Sequence, residues 1–397
     1  GAPVDMKCVD DNLIIIDANS DAFFHWIKLP DFKYMGKYGE LGQGPGEWLK
    51  AKTLHVFQDT LYCYDSYKSE LLQIIPDDDA GKLTFRSCHR FGKDLTIDLF
   101  PLSQSRLCAY GCFEHGMLHV TDTAGMLLRV TRDFPARDRT ESMLSNQLRF
   151  MAYQGCMDTD GKGNVAYLMA DSKQCYVYSL VEDSLAEIFS DQSSYPFYKP
   201  EGNEGFSVSF KPENKFGYQD ITADESGFYG LYSGKSFQDY RQKAFESSLV
   251  EAYTWKGALK ALYRFDIPVL CFCIDKKRDV FYAITNNPDP VLVFFPPFFY
   301  IKFGGGWDFP VSPRVFNHDP LPGSWSKNIR ANRHTRCVHL NSIYGGYIQM
   351  AQKVQFVETV LRDANQSLIA TRLPYDKFAP MLETIDKTGY YAVECWG

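Results

Sequence analysis

The chain has 397 residues, enough for one large or two ordinary domains with a full core. Its net charge of −7 and pI near 5.7 argue against a nucleic-acid binder, which should carry a basic stripe. Eleven cysteines, an odd number without regular spacing, do not make a disulfide framework, and the longest apolar run, Val291–Ile301, is too short to span a bilayer and carries Pro296-Pro297.

In chain order, Leu13–Asp17 turns through Ala18–Asp21 into Ala22–Leu29, a first hairpin. A glycine-rich stretch follows, Phe32–Leu49, in which Gly36, Gly39, Gly42, Gly44 and Gly46 surround Pro45. No Lys-Ser/Thr pair and no helical pattern follow it, as a phosphate loop would require. Gly42, Gly44, Pro45 and Gly46 are therefore expected to form a structural crossover that needs left-handed backbone. Thr60–Pro76 is the clearest hairpin: Leu61, Cys63 and Asp65 alternate with Tyr62 and Tyr64, and Ser66–Ser69 turns the chain into Leu71–Ile75.

The same unit returns at Leu107–Gly111 with Met117–Thr121, at Val165–Ala170 with Gln174–Leu180, at Phe228–Tyr232, and at Val280–Thr285 with Val291–Phe295. From Ile14 through Leu61, Leu107, Val165 and Phe228 to Val280 the steps are 47, 46, 58, 63 and 52 residues. A degenerate hairpin recurring at such intervals predicts a six-bladed β-propeller over 1–293, an all-β fold. The high aromatic content, 25 Tyr and 30 Phe, suits sheets packed on sheets.

Between the hairpins, Asp158-Thr-Asp160-Gly161-Lys-Gly163-Asn164 has the start of a calcium loop. Position twelve is Met169 where a closing Glu is needed, so a β-turn is expected. Asp191–Asn214 is expected to be a strand-poor loop between blades, and Ser236–Ser248 a short helix inserted in blade five.

After Phe295 the character changes. Residues 294–349 contain two acidic side chains, Asp308 and Asp319, against six basic ones, and no sustained periodicity, so an irregular linker or non-native-like segment is expected. His334, Cys337 and His339 lack a fourth zinc ligand at finger spacing. From Met350 the pattern is strand (Val354–Thr359), helix (Tyr375–Thr388), strand (Tyr391–Trp396), a truncated β-α-β unit over 350–397.

Two resemblances bear on these readings. GQGPGEW followed by a strand, together with the block from AYTWKG through DIPV to YAITNNPDP, resembles the six-bladed TolB-like β-propellers of Bacteroides-type bacteria, over about residues 5–293. That resemblance implies an exported protein, periplasmic or at the cell surface, with no assigned activity. With the chain opening Gly-Ala-Pro, a removed N-terminus and a lipid anchor on it are expected. LRDANQSLIATR resembles the first strand-loop of the carboxyltransferase domains of pyruvate carboxylase and oxaloacetate decarboxylase. By that resemblance Asp363 would ligate a divalent metal while Arg362 and Gln366 contact a keto acid; Asn365 stands where many members carry His. The downstream His-x-His and Lys are absent, and a (β/α)₈ barrel takes about 250 residues, so an inactive fragment with an empty metal position is expected.

The expected function is a non-enzymatic binding module, a monomer without cofactor. Its channel-mouth loops would take a protein, glycan or small ligand. The alternatives are a propeller enzyme with a channel-mouth site, for which Asp17, Asp65, His89, His115 and Asp275 are the candidates, or a fragment of a biotin-dependent carboxyltransferase. No catalytic residue is assigned.

Overall fold

The computed structural model describes residues 2–18, 21–90, 95–201, 207–286 and 290–295, and the backbone of 357–358 and 392–393. Within the first 295 residues the described chain forms six antiparallel blades, as predicted, and one further two-stranded sheet. Blade one is β1 (Pro3–Val9), β2 (Asn12–Asp17), β3 (Ala22–Lys28) and β4 (Lys33–Glu40). Blade two is β5 (Leu54–Phe57), β6 (Thr60–Asp65), β7 (Glu70–Asp77) and β8 (Lys82–Arg90). Blade three is β9 (Thr96–Ser103), β10 (Arg106–Gly111), β11 (Leu118–Asp122) and β12 (Leu127–Val130), followed by the helices α1 (Arg139–Ser142) and α2 (Asn146–Ala152).

Blade four is β13 (Gly155–Thr159), β14 (Asn164–Met169), β15 (Gln174–Ser179) and β16 (Ser184–Ser190). A two-stranded hairpin comes next, β17 (Tyr198–Glu201) with β18 (Ser207–Phe210). It corrects the expectation of a strand-poor loop over Asp191–Asn214. The two strands are short, mostly solvent-facing and interrupted by Pro200, so they carry none of the apolar alternation that marks the other strands. Blade five is β19 (Tyr218–Asp224), β20 (Gly227–Tyr232), β21 (Ser247–Tyr253) and β22 (Leu259–Val269). It contains the expected short helix, α3 (Phe237–Tyr240), capped by the Ser236 hydroxyl, with a 3-10 turn over Arg241–Phe245. Blade six is β23 (Cys271–Asp275), β24 (Val280–Asn286) and β25 (Pro290–Phe295).

The alternation of each second strand explains the ring, because both faces of every sheet are apolar. In β2, Ile14 and Ile16 pack with Trp26, Leu54, Leu61 and Cys63 between blades one and two. Leu13 and Ile15 point the other way, onto Cys271, Tyr282 and Ile284 of blade six. In β14, Val165 and Tyr167 face blade three while Ala166 and Leu168 face blade five. Leu107 and Ala109 join blade three to Tyr64 and Leu71 of blade two, and Phe281 and Ala283 join blade six to Leu231 and Val250 of blade five. Six apolar interfaces thus close a circle, with first and last blades in contact through Leu13 and Ile15. Closure removes the exposed sheet faces that a single four-stranded sheet would leave in water.

Chain contacts divide the protein into Gly1–Thr335 and Arg336–Gly397. In the second unit β26 (Val357–Glu358) pairs in parallel with β27 (Ala392–Val393), Val357 opposite Ala392. Parallel pairing is what the expected β-α-β unit requires of its strands. Its helix, the stretch after Phe295 and the residues Arg362, Asp363 and Gln366 lie outside the described residues. Among the described residues no helix is long and apolar enough to cross a membrane.

The glycine-rich loop runs between blades one and two and seats Trp48, fully buried, against Phe24 and Phe85 at 4.7 and 5.4 Å. Its backbone is held on every side. The Glu47 carboxylate accepts from the Gly44 amide at 2.6 Å, Lys68 donates to the Gly44 and Glu47 carbonyls, and Asp65 accepts from the Leu49 amide at 2.6 Å. Gly46 has φ +78°, a conformation that β-branched residues avoid. Replacing Gly46 by Val is expected to cost about 1–3 kcal/mol, read as a lower Tm; an unchanged Tm would contradict a structural role for this loop.

Candidate functional site

The first strands of the sheets, β1, β5, β9, β13, β19 and β23, are one another's neighbours and enclose the axis of the ring. Because side chains alternate along a strand, Asp5 and Lys7 of β1 look inward while Met6 and Cys8 pack toward blade six. Four of these strands carry an aspartate in the same local arrangement. The Oδ1 atoms of Asp5, Asp98, Asp158 and Asp220 accept the amide of the next residue, Met6, Leu99, Thr159 and Ile221, at 2.7 to 2.9 Å. Register slips beside Asp5 and Asp220 are β-bulges, and a bulge is what frees such an amide from the ladder.

The second oxygen of each reaches out of its own blade. Asp5 Oδ2 accepts from the Leu54 amide of blade two at 2.6 Å, Asp158 Oδ2 from Ala223 of blade five at 2.7 Å, and Asp220 Oδ2 from Phe272 of blade six at 2.8 Å. Asp98 Oδ2 lies 2.8 Å from His55 Nε2 of blade two. Lys7 spans the ring from blade one to blade four, donating to Asp158 at 2.5 Å and to the Ile221 carbonyl at 3.3 Å.

The charges in this cluster set one another's protonation. Burial works against the Lys7 ammonium, but Asp158, Asp5 and Asp220 more than offset it and hold its pKa above the usual value. Burial likewise opposes a charged His55, yet Asp98 and Asp158 lift it to about 9; its ring stacks on Phe100 at 4.0 Å. Asp158 is held low, because Lys7 and His55 outweigh its desolvation. Burial pushes Asp5 up to about 6 against the pull of Lys7, and Asp220 well above the carboxylate range, with Asp5 reinforcing it.

Above this level opens a cavity of about 350 Å³. Asp5, Asp98 and Asp220 form its floor, and Lys52, Asp171 and Gln219 stand on its wall. Met151 and Phe210 supply apolar surface, with Phe210 contributed by the β17–β18 hairpin. Burial pushes Asp171 up to about 7, with no cation among the described residues holding it down. Among the described residues no group of three His, Cys, Asp or Glu is arranged to hold a metal ion.

The polar residues singled out in sequence lie elsewhere. Asp65 caps its own turn through the Tyr67 and Lys68 amides as well as holding Leu49. Asp275 is tied to Arg278 and Asp17 lies beside His25 inside blade one. His89 sits on the outermost strand of blade two, and His115 is exposed on a hairpin tip. The structure does not bring these five together. Asp158, expected in a turn, is an axial residue; the turn itself is held by Asp160, which accepts from the Lys162 and Asn164 amides. The signal that could have found the axial aspartates is an apolar or amide residue, then Asp, in the first strand of four of the six repeats: Val4-Asp5, Ile97-Asp98, Met157-Asp158 and Gln219-Asp220.

A sequence profile described as TolB-like 6-blade propeller-like matches residues 1–277. The chain belongs to that family. Among solved structures, this TolB-like propeller is similar to an exported protein of Bacteroides fragilis NCTC 9343, with 12% identity, 71% of this chain and 78% of that chain covered, and a TM-score of 0.44. It is also similar to Kuenenia stuttgartiensis hydrazine synthase, with 11% identity, 74% and 76% covered, and a TM-score of 0.40. Curated relatives match only locally. A pyruvate carboxylase subunit of Methanocaldococcus jannaschii is 48% identical over 44 residues, 11% of this chain and 8% of that protein. The methylmalonyl-CoA carboxyltransferase 5S subunit of Propionibacterium freudenreichii is 48% identical over 46 residues, 12% and 9%. The chain spans less than a tenth of the length of these relatives.

Two tests bear on the axial charges. Lys7→Met is expected to lose about 3–5 kcal/mol, since it strands a buried carboxylate. Adding Asp158→Asn to it should recover part of that loss in denaturant titrations. For His55, the folded value near 9 lies above the ordinary 6.5, so its contribution is complete below pH 6.5 and is lost as the pH rises through 9. The wild type should lose roughly 3 kcal/mol more than His55→Gln across that window; parallel stability curves for the two would refute a charged His55.

Proposed function

We propose that this propeller is a binding module whose channel mouth takes a small ligand. The observation that carries the reading is the cavity over the axial aspartates. At about 350 Å³ it lies near the low end of small-molecule sites and is too small for a protein epitope or an extended glycan. Its composition supports the same reading, with aromatic and thioether surface for contact and a few fixed polar groups for orientation. The floor is rigid, because Asp5 and Asp220 are each held by two backbone amides. A preorganised floor lowers the ordering cost of binding.

An extracytoplasmic location, with a lipid anchor, belongs to this proposal on family resemblance; fractionation of the native host tests it. The carboxyltransferase-like stretch adds nothing to the reading, since so little of those enzymes is spanned.

A thermal-shift screen of small polar metabolites on the full chain is expected to give hits that Ala170→Trp abolishes, because Ala170 lines the cavity and the indole would fill it. Hits that survive Ala170→Trp would place binding elsewhere.

A further inference from the structure

Resting on that reading, the wall of the cavity narrows the class of ligand. Its polar groups differ in how far the protein satisfies them. Asp5, Asp98 and Asp220 have both carboxylate oxygens engaged by amides or by His55. Asp171 is different: it is partly buried, lines the same cavity, and has no hydrogen-bond or ion-pair partner among the described residues. An unmet carboxyl facing a cavity is costly in the unliganded protein, and a ligand that meets it recovers that cost.

The charge on the wall selects the sign. Of the four aspartates lining the cavity, Asp98 is paired with the charged His55, and Asp5 and Asp220 are held by backbone amides with raised pKa values, so Asp171 is the carboxyl left to meet a charge on the ligand. The desolvated Asp171 carboxyl has no cation holding it ionised among the described residues, so a cation brought by the ligand gains an ion pair there. The half-exposed Phe210 adds apolar surface beside it. The carboxylates do not converge into a metal-binding group among the described residues, which favours an organic cation over a bare ion.

We propose that the mouth cavity holds a small ligand through a protonated amine seated on Asp171, with the apolar stem of the ligand along Met151 and Phe210. Asp171 is the residue that determines specificity, and the axial aspartates, already held by amides or by His55, do not contact the amine.

The test is a pair of ligand-observed NMR titrations of the full chain with n-hexylamine and n-hexanol, equal in length and different in charge. The amine is expected to bind about tenfold more tightly, and Asp171→Asn to erase the difference. Because Asp171 has no partner to lose, that variant should melt no lower than the wild type, which separates lost binding from lost folding. Equal binding of the two probes to the wild type, or a preference that persists in Asp171→Asn, overturns the amine proposal and leaves a small-ligand cavity standing. Binding of neither probe removes both.

Discussion

Each axial aspartate is asked to do two things at once, and the propeller depends on its doing both. One oxygen ties down the amide of the next residue in its own strand; the other takes an amide or a histidine from a different blade. Apolar packing between sheets would tolerate some sliding, because dispersion contacts are numerous and weakly directional. A carboxylate between two amides does not, since hydrogen bonds weaken steeply with angle. The aspartates therefore fix how far each blade is rotated about the axis, and the apolar interfaces supply most of the free energy that holds the blades at that setting.

That arrangement has a cost, which the cluster at the axis offsets internally. Four carboxylates in a poorly solvated space would repel one another and take up protons. Lys7 and the charged His55 are placed where they relieve two of them, Asp158 and Asp98. Asp5 and Asp220 are left with raised pKa values, held mainly by backbone amides. The polar lining of the cavity is thus a by-product of the device that sets the blades, and the proposed amine site at Asp171 lies beside it.

The blades were legible in the sequence because alternation is local. Leu13–Asp17 and Thr60–Asp65 show their two faces to anyone counting by twos, and the repeat distance then gives the fold. The axis was not legible, since an aspartate within a strand looks the same whether it points at water, caps a turn or bridges two blades. Asp65, Asp275 and Asp158 all sit near turns, yet only Asp158 turns inward; what separates them is the neighbour across the ring, 151 residues away in the case of Lys7. The β17–β18 hairpin escaped notice for a related reason. Its strands are stabilised by pairing with each other rather than by a buried face, and pairing leaves little mark on composition.

The ion pair between Lys7 and Asp158 joins strands from opposite sides of the ring, and together with His55 it fills the axis with buried side chains. The cavity shares Asp5, Asp98 and Asp220 with that axial cluster, while the β17–β18 hairpin, outside the six blades, lends it Phe210. A substitution in that hairpin can therefore reshape the cavity without touching the side chains that set the blades, so the fold and the cavity can change independently in evolution.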